Sequence, residues 1–176
     1  NFRGGLVTAQ HCADQLPYYS SNTSTARSVV EPNSRNLANT RGDIQYHQVE
    51  TEAIGDSFYH AVGRHRTITG MKFVGNGDPT CLFGRISKGK RNGVATCTKG
   101  WLINIDVYCR NVDRRYDGLT AVKDRFSLSG DSGGPWYSGG NAVGVQSGYM
   151  TLNGQKVDLF TPVQRISHMD LRLFTR

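Results

Sequence analysis

Ile103, Ile105, Val107 and Cys109 alternate with Asn104, Asp106 and Tyr108. A period of two belongs to a strand with one buried face, whereas a helix repeats every 3.6 residues. Similar short runs recur at residues 5–9, 44–49, 66–69, 71–74, 119–122, 142–147 and 157–160. Two of the separators have hairpin chemistry. Ser138-Gly139-Gly140-Asn141 lies between Trp136-Tyr137 and Ala142-Val143, and Asn153-Gly154 lies between residues 149–152 and 155–157. Short strands with a turn about every 8–12 residues predict an all-β barrel or sandwich. The 176 residues suffice for one domain or for two small barrels sharing an interface.

Composition removes other classes. With 21 glycines spread along the chain, 37% hydrophobic residues and 20% charged residues, the chain is not disordered, coiled-coil or collagen-like. No apolar run approaches the roughly 20 residues that a membrane helix needs. Asn1-Phe2-Arg3-Gly4-Gly5 has no signal-peptide pattern, so the expectation is a soluble, monomeric chain whose export signal has already been removed.

The four cysteines are Cys12, Cys81, Cys97 and Cys109, and none has zinc-like spacing. His47, His60, His65 and His168 also lack ligand spacing, so neither a metal nor a cofactor is expected. Cys81 and Cys97 bracket a loop carrying Gly84, Gly89 and Asn92-Gly93. A disulfide there would contribute about 3 kcal/mol and would point to an oxidising, extracellular location.

Residues 17–41 are rich in Ser, Thr and Asn and read as surface loop, with one short strand around residues 26–30. Near the C-terminus, Thr161 can cap a helix, Pro162 suits its first position, and Val163, Ile166 and Met169 recur at three-residue steps. A short C-terminal helix is expected there. The net charge is +7. Its densest cluster, Arg85, Lys88, Lys90 and Arg91, has only Phe83 beside it and reads as a solvated loop, so no nucleic-acid partner is expected. Asn22-Thr23-Ser24 is formally a glycosylation sequon, a pattern common by chance.

Gly130-Asp131-Ser132-Gly133-Gly134-Pro135 surrounds one serine with residues small enough for close backbone approach. A serine becomes nucleophilic only beside a base that is itself oriented. Upstream, Thr8-Ala9-Gln10-His11-Cys12 places a histidine at a strand end, and Arg41-Gly42-Asp43-Ile44 places an aspartate at a strand start. Their order is His11, Asp43, Ser132.

On these residues the chain resembles the chymotrypsin-like serine proteases, especially the short secreted bacterial branch of streptogrisins and α-lytic protease. The resemblance spans residues 5–174, with support from Val143-Gly144-Val145-Gln146-Ser147-Gly148 and Phe160-Thr161-Pro162-Val163. It implies two antiparallel six-stranded barrels, at residues 1–75 and 76–176, with the first lacking its N-terminal strands. It also implies a secreted endopeptidase acting on polypeptides through an acyl-enzyme, with a propeptide or protein inhibitor as a further possible partner. In that reading His11 is the general base and then the general acid, Asp43 orients it, and Ser132 attacks. The backbone of Gly130 and Ser132 forms the oxyanion hole. Ser147 contacts the buried aspartate, while Ser147, Gly148 and Tyr149 pair with extended substrate.

By the same resemblance, Phe126 and Ser127 lie at the base of the specificity pocket, with Tyr149 and Asp158 on its walls. Asp158 either offers a charge to a bound Lys or Arg or hydrogen-bonds structure. Three features depart from the family pattern: Gln10 before the histidine, no cysteine in Phe126-Ser127-Leu128-Ser129, and Cys109 on a strand that usually has none. Cys12 and Cys109 are expected too far apart to pair. Two rival readings remain. One is a catalytically inactive homologue that binds proteins; the other is an α/β-hydrolase esterase using Ser132, Asp158 and His168, since residues 130–134 also satisfy G-x-S-x-G.

Overall fold

The computed structural model describes residues 4–12, 16–18, 28–30, 32–36, 42–48, 55–87, 92–109 and 113–175, with those between 16 and 36 described as backbone only. The basic positions Lys88, Lys90 and Arg91 and the Asn22 sequon lie outside the described residues. The N-terminal strands are β1 (Gly5–Thr8), β2 (Leu16–Tyr18), β3 (Ser28–Val30), β4 (Pro32–Asn36), β5 (Gln45–Gln48), β6 (Ser57–Ala61), β7 (Arg64–Thr67) and β8 (Gly70–Met71). After them come β9 (Pro79–Leu82), β10 (Thr96–Cys109), β11 (Arg114–Val122), β12 (Pro135–Ser138), β13 (Asn141–Leu152) and β14 (Gln155–Pro162). A 3₁₀ helix, Val163–Met169, follows.

The later strands close on themselves. They run in the order β12-β9-β10-β11-β14-β13, and β12 also pairs with β13, making an antiparallel six-stranded barrel. Closure gives each strand of that ring two neighbours, while among the described residues β13 beyond Gln146 is laddered only to β14. Both expected hairpins occur at the β12–β13 and β13–β14 turns, with positive φ at Gly139 (61°), Asn153 (49°) and Gly154 (79°). Two consecutive positive-φ residues at Asn153-Gly154 match the twist of the flanking strands. Among the described residues of the earlier group, β1, β5 and β4 form one sheet, and β2–β3 and β6–β7 form separate pairs. β8 adds in parallel to β13.

Among the described residues, three apolar clusters hold these elements. Val74, Leu82, Val122, Phe126, Trp136, Val143 and Phe160 form one, with the Trp136 ring 5.6 Å from Phe126 and 5.3 Å from Phe160. Trp136 Nε1 donates to Gln146 Oε1 at 2.7 Å, which satisfies the indole's only polar group in a fully buried site. Ile44, Tyr46, Val145, Val163, Ile166 and Met169 form the second, joining β5 to β13 and the helix. The three-residue spacing seen in the sequence is the period of a 3₁₀ helix, in which positions i and i+3 eclipse. Tyr116, Leu119, Ala121, Val157 and Leu159 form the third cluster. Along β14, Phe160 thus faces the first cluster while Val157 and Leu159 face the third, as strand alternation requires.

Some expectations change. Trp101, Ile105, Val107 and Cys109 pack on the third cluster, but Ile103 is 45% exposed. The cause is Asn104, whose φ of 56° interrupts the β10–β11 register and turns Ile103 off the common face. The polar segment Pro32-Asn33-Ser34-Arg35-Asn36 is a strand although its composition argues against one; β5 supplies its ladder. The strands expected at residues 66–69 and 71–74 are instead β7, two residues earlier, and the two-residue β8. Thr161 is no helix cap. Pro162 is the N-cap residue and no side chain caps the helix.

Candidate active site

Antiparallel pairing of β1 with β5 runs from Gly5↔Gln48 to Thr8↔Gln45. The end of β1 therefore lies beside the start of β5. His11 follows β1 by three residues and Asp43 precedes β5 by two, so a local register brings together residues 32 apart in sequence. A turn with Cys12 N–H donating to Ala9 O at 3.0 Å points the histidine back at the aspartate. His11 Nδ1 lies 2.6 Å from Asp43 Oδ2, and the His11 backbone N–H donates to Asp43 Oδ1 at 3.1 Å. One carboxylate fixes both the ring and the peptide of the histidine. Asp43 is 1% exposed.

Ser132 arrives from the barrel. The segment before β12 folds over Asp131, whose buried carboxylate accepts N–H groups from Ile86 (2.7 Å), Ser87 (3.1 Å) and Leu128 (2.8 Å). Gly133 (φ 81°) donates to Gln146 O at 2.8 Å, and a Cβ on it would stand 2.0 Å from Thr8 Oγ1. Only glycine lets the serine turn lie this close to the end of β1. Ser132 Oγ consequently lies 2.8 Å from His11 Nε2, across 121 residues. Gly130 has φ 94°. The Asp43–His11–Ser132 array has the order and spacing that general-base activation of a serine requires.

Electrostatics follow the geometry. The hydrogen bond to Asp43 holds the His11 pKa above its ordinary 6.5, burial opposes this, and the Asp43 charge adds to the rise. Burial pushes the neighbouring Cys12 thiol up. Cys12 and Cys109 are both free, while Cys81 and Cys97 are disulfide-bonded as direct partners on β9 and β10.

The remaining sequence-derived residues divide. Ser147 is buried on β13, but its hydroxyl meets Thr161 Oγ1 at 3.1 Å, and Thr161 in turn bonds the Asp43 backbone. Gly148 accepts from Gln146 Nε2 at 2.9 Å. Tyr149 is 53% exposed and carries the Arg125 guanidinium 3.4 Å above its ring. Asp158 has no exposed surface. Its Oδ2 accepts the N–H groups of Phe126 and Ser127, both at 2.9 Å, and its Oδ1 accepts the Ser127 hydroxyl. The carboxylate therefore holds the segment expected to form the pocket base and presents no surface to a bound Lys or Arg. Burial pushes its pKa up, against the pull of the Ser127 hydroxyl and the two N–H donors. A cleft of about 670 Å³ lies alongside, lined by Ser87, Arg125, Phe126, Ser127, Gln155 and Lys156 among others.

The α/β-hydrolase alternative does not survive. Its triad would need Asp158, which is fully buried against Phe126 and Ser127, and His168, which is exposed on the terminal helix. Its parallel sheet is also missing from the described residues, where the only parallel pairing is the two-residue β8–β13 contact. Among those residues no cluster of His, Cys, Asp or Glu could hold a metal, and no helix is long and apolar enough to cross a membrane.

Sequence reasoning missed Thr161 as a site residue, the amide clasp around Asp131, and Gln146 behind the β13 wall. The Thr161–Asp43 bonds join positions 118 apart, and the Ile86 and Ser87 donors lie 45 and 44 residues from Asp131, separations that local pattern does not span.

No protein-family model matches the chain, and no curated sequence does. Solved structures are similar to it. A chymotrypsin of Cellulomonas bogoriensis superposes with a TM-score of 0.76 at 21% identity, over 98% of this chain and 87% of that one. Thermobifida fusca protease A gives 0.73 at 22% identity, over 98% and 85%. A Nocardiopsis protease gives 0.73 at 21% identity, over 98% and 86%. With the closed barrel of β9 to β14, these likenesses show that the chain has the chymotrypsin-like all-β fold.

Proposed function

We propose that this chain is a secreted serine endopeptidase that hydrolyses peptide bonds through an acyl-enzyme. Residues 1–75 supply the base and its orienting carboxylate, and residues 76–176 supply the nucleophile. The observation that carries the reading is the continuous array in which His11 stands 2.6 Å from Asp43 and 2.8 Å from Ser132.

In the proposed reaction, His11 Nε2 takes the Ser132 proton as Oγ attacks the scissile carbonyl. The proton then passes to the departing amine, leaving an acyl-serine. Water, deprotonated by the same imidazole, attacks that ester and releases the acid. Asp43 keeps Nδ1 protonated and stabilises the imidazolium formed in each half-reaction. The developing oxyanion is assigned to the backbone N–H groups of Gly130 and Ser132, a contribution typically worth about 10²–10³ in turnover. The edge of Ser147, Gly148 and Tyr149 is assigned to an extended polypeptide, which would add as a strand. A propeptide or protein inhibitor could use the same edge. The Cys81–Cys97 disulfide supports an oxidising, extracellular setting.

Active-site titration with a serine-reactive phosphonate tests the proposal. One equivalent should bind covalently at Ser132, with parallel loss of peptide hydrolysis, and Ser132→Ala should bind none. A protein that folds, binds peptides and neither labels nor hydrolyses is instead the inactive homologue.

A further inference from the structure

Thr161 lies at the end of β14, beside the helix it does not cap. Its hydroxyl is turned toward Asp43. Oγ1 accepts the Asp43 N–H at 2.9 Å, donates to the Asp43 carbonyl at 3.1 Å, and stands 3.1 Å from Ser147 Oγ. A hydroxyl has one proton and two lone pairs. With the proton given to the Asp43 carbonyl, the lone pairs take the Asp43 N–H and the Ser147 O–H, and the group is saturated. All of this is out of water: Thr161 is 0% exposed, Asp43 1% and Ser147 8%.

An independent feature fits the same contact. Gly42 has φ 120°, and a Cβ there would stand 2.6 Å from Thr161 Cγ2. The glycine before Asp43 is thus the space into which the threonine methyl projects. Any other residue would be strained and would push Thr161 away.

We propose that Thr161 is a positioning residue for the His11–Asp43 pair: from the barrel, its hydroxyl holds both backbone polar groups of Asp43. This rests on the protease reading and adds a residue to the same site. The carboxylate must meet His11 at two atoms, Nδ1 and the backbone N–H, so it tolerates little drift of its own backbone. Displacement of a catalytic group by about 1 Å can cost about 10²-fold in rate.

The test compares Thr161→Val, which keeps the shape and removes the hydroxyl, with Thr161→Ser, which keeps the hydroxyl. Each is made in the otherwise unchanged chain and with Asp43→Ala, and kcat and KM are measured on one peptide substrate with an activated leaving group. Thr161→Val should lower kcat by about 10²-fold and leave KM within about twofold, and Thr161→Ser should restore kcat to within about threefold. With Asp43→Ala in place, Thr161→Val should cost less than about twofold more, because the group it acts through is gone. Unchanged kcat, a loss carried by KM, or an equal loss in both backgrounds would each overturn the assignment. Should Thr161→Val fail to fold, by near-ultraviolet circular dichroism, Thr161→Ala takes its place, since it leaves room for a water against the Asp43 peptide. If that variant also fails to fold, the hydroxyl serves the seam of the fold and the assignment falls. An unmutated chain that neither labels with the phosphonate nor hydrolyses peptide defeats the protease reading and this inference with it. An active chain indifferent to Thr161 defeats the inference alone.

Discussion

His11 carries the sharpest consequence of a single contact. A general base must be neutral, and the Asp43 hydrogen bond raises its pKa above 6.5. The acid limb of kcat/KM should therefore fall at a pH above 6.5, and Asp43→Asn should move it down while lowering kcat by about 10⁴-fold. A pH–rate profile of both proteins checks this; an acid limb below 6.5 in the unmutated chain would contradict the geometry. The same shift has a stability consequence of fixed sign. The pair stabilises fully below the unfolded pKa, and that contribution is lost as pH rises through the folded one. Ser132→Ala should cut peptide hydrolysis by about 10⁵–10⁶-fold, take up no phosphonate and leave the melting temperature nearly unchanged, because it removes one half-exposed hydroxyl.

At the scale of elements, β14 and the 124–128 segment are joined by Asp158, and substitutions there separate wall from charge. Asp158→Asn keeps a carbonyl oxygen for the Phe126 and Ser127 N–H groups and an amide that the Ser127 hydroxyl can accept from. Its rates on substrates with Lys, Leu or Phe before the cleaved bond should keep the proportions of the unmutated chain. Asp158→Ala strands two buried N–H groups and should destabilise by about 1–3 kcal/mol per group left unpaired, with rates falling on every substrate. A loss confined to Lys and Arg substrates in Asp158→Asn would restore the charge role, one of the two that the sequence left open. The β9–β10 pair carries a second prediction. Replacing Cys81 and Cys97 by serine should cost about 3 kcal/mol in chemical denaturation, the entropy of a loop of this length. Their sequence separation is 16.

Across the whole molecule, the site exists where the β1–β5 sheet meets the closed barrel, and beside the apolar cluster of Ile44, Tyr46 and Val145 two close contacts bear on that seam: Asp43 with Thr161, and Gly133 against Thr8. Gly133→Ala tests the second. A positive φ costs a non-glycine residue about 1–3 kcal/mol, and the new methyl would in addition drive into Thr8 Oγ1. Denaturation should show a loss of at least that size, and kcat should fall with it because Ser132 is the adjacent residue. Unchanged stability would mean that the two parts meet less closely than 2.0 Å implies.

Much of this molecule was written in local pattern. Period-two alternation marked many of the strands, Asn153-Gly154 marked a hairpin, and the motifs around His11, Asp43 and Ser132 marked three residues that the fold brings into one hydrogen-bonded line. Such features are legible because turn chemistry and face alternation act over a few residues. β4 was not legible, because a polar strand is held by its neighbour's ladder and not by its own composition. Ile103 was misread because a single left-handed residue, Asn104, interrupts the ladder and turns one side chain off a face that Trp101, Ile105, Val107 and Cys109 still share. The tasks of Thr161 and Asp158 were decided only by the tertiary structure. A buried threonine hydroxyl or carboxylate takes whichever donors and acceptors chain closure delivers, and here they come from Asp43, 118 residues away, and from Phe126 and Ser127, about 30 away.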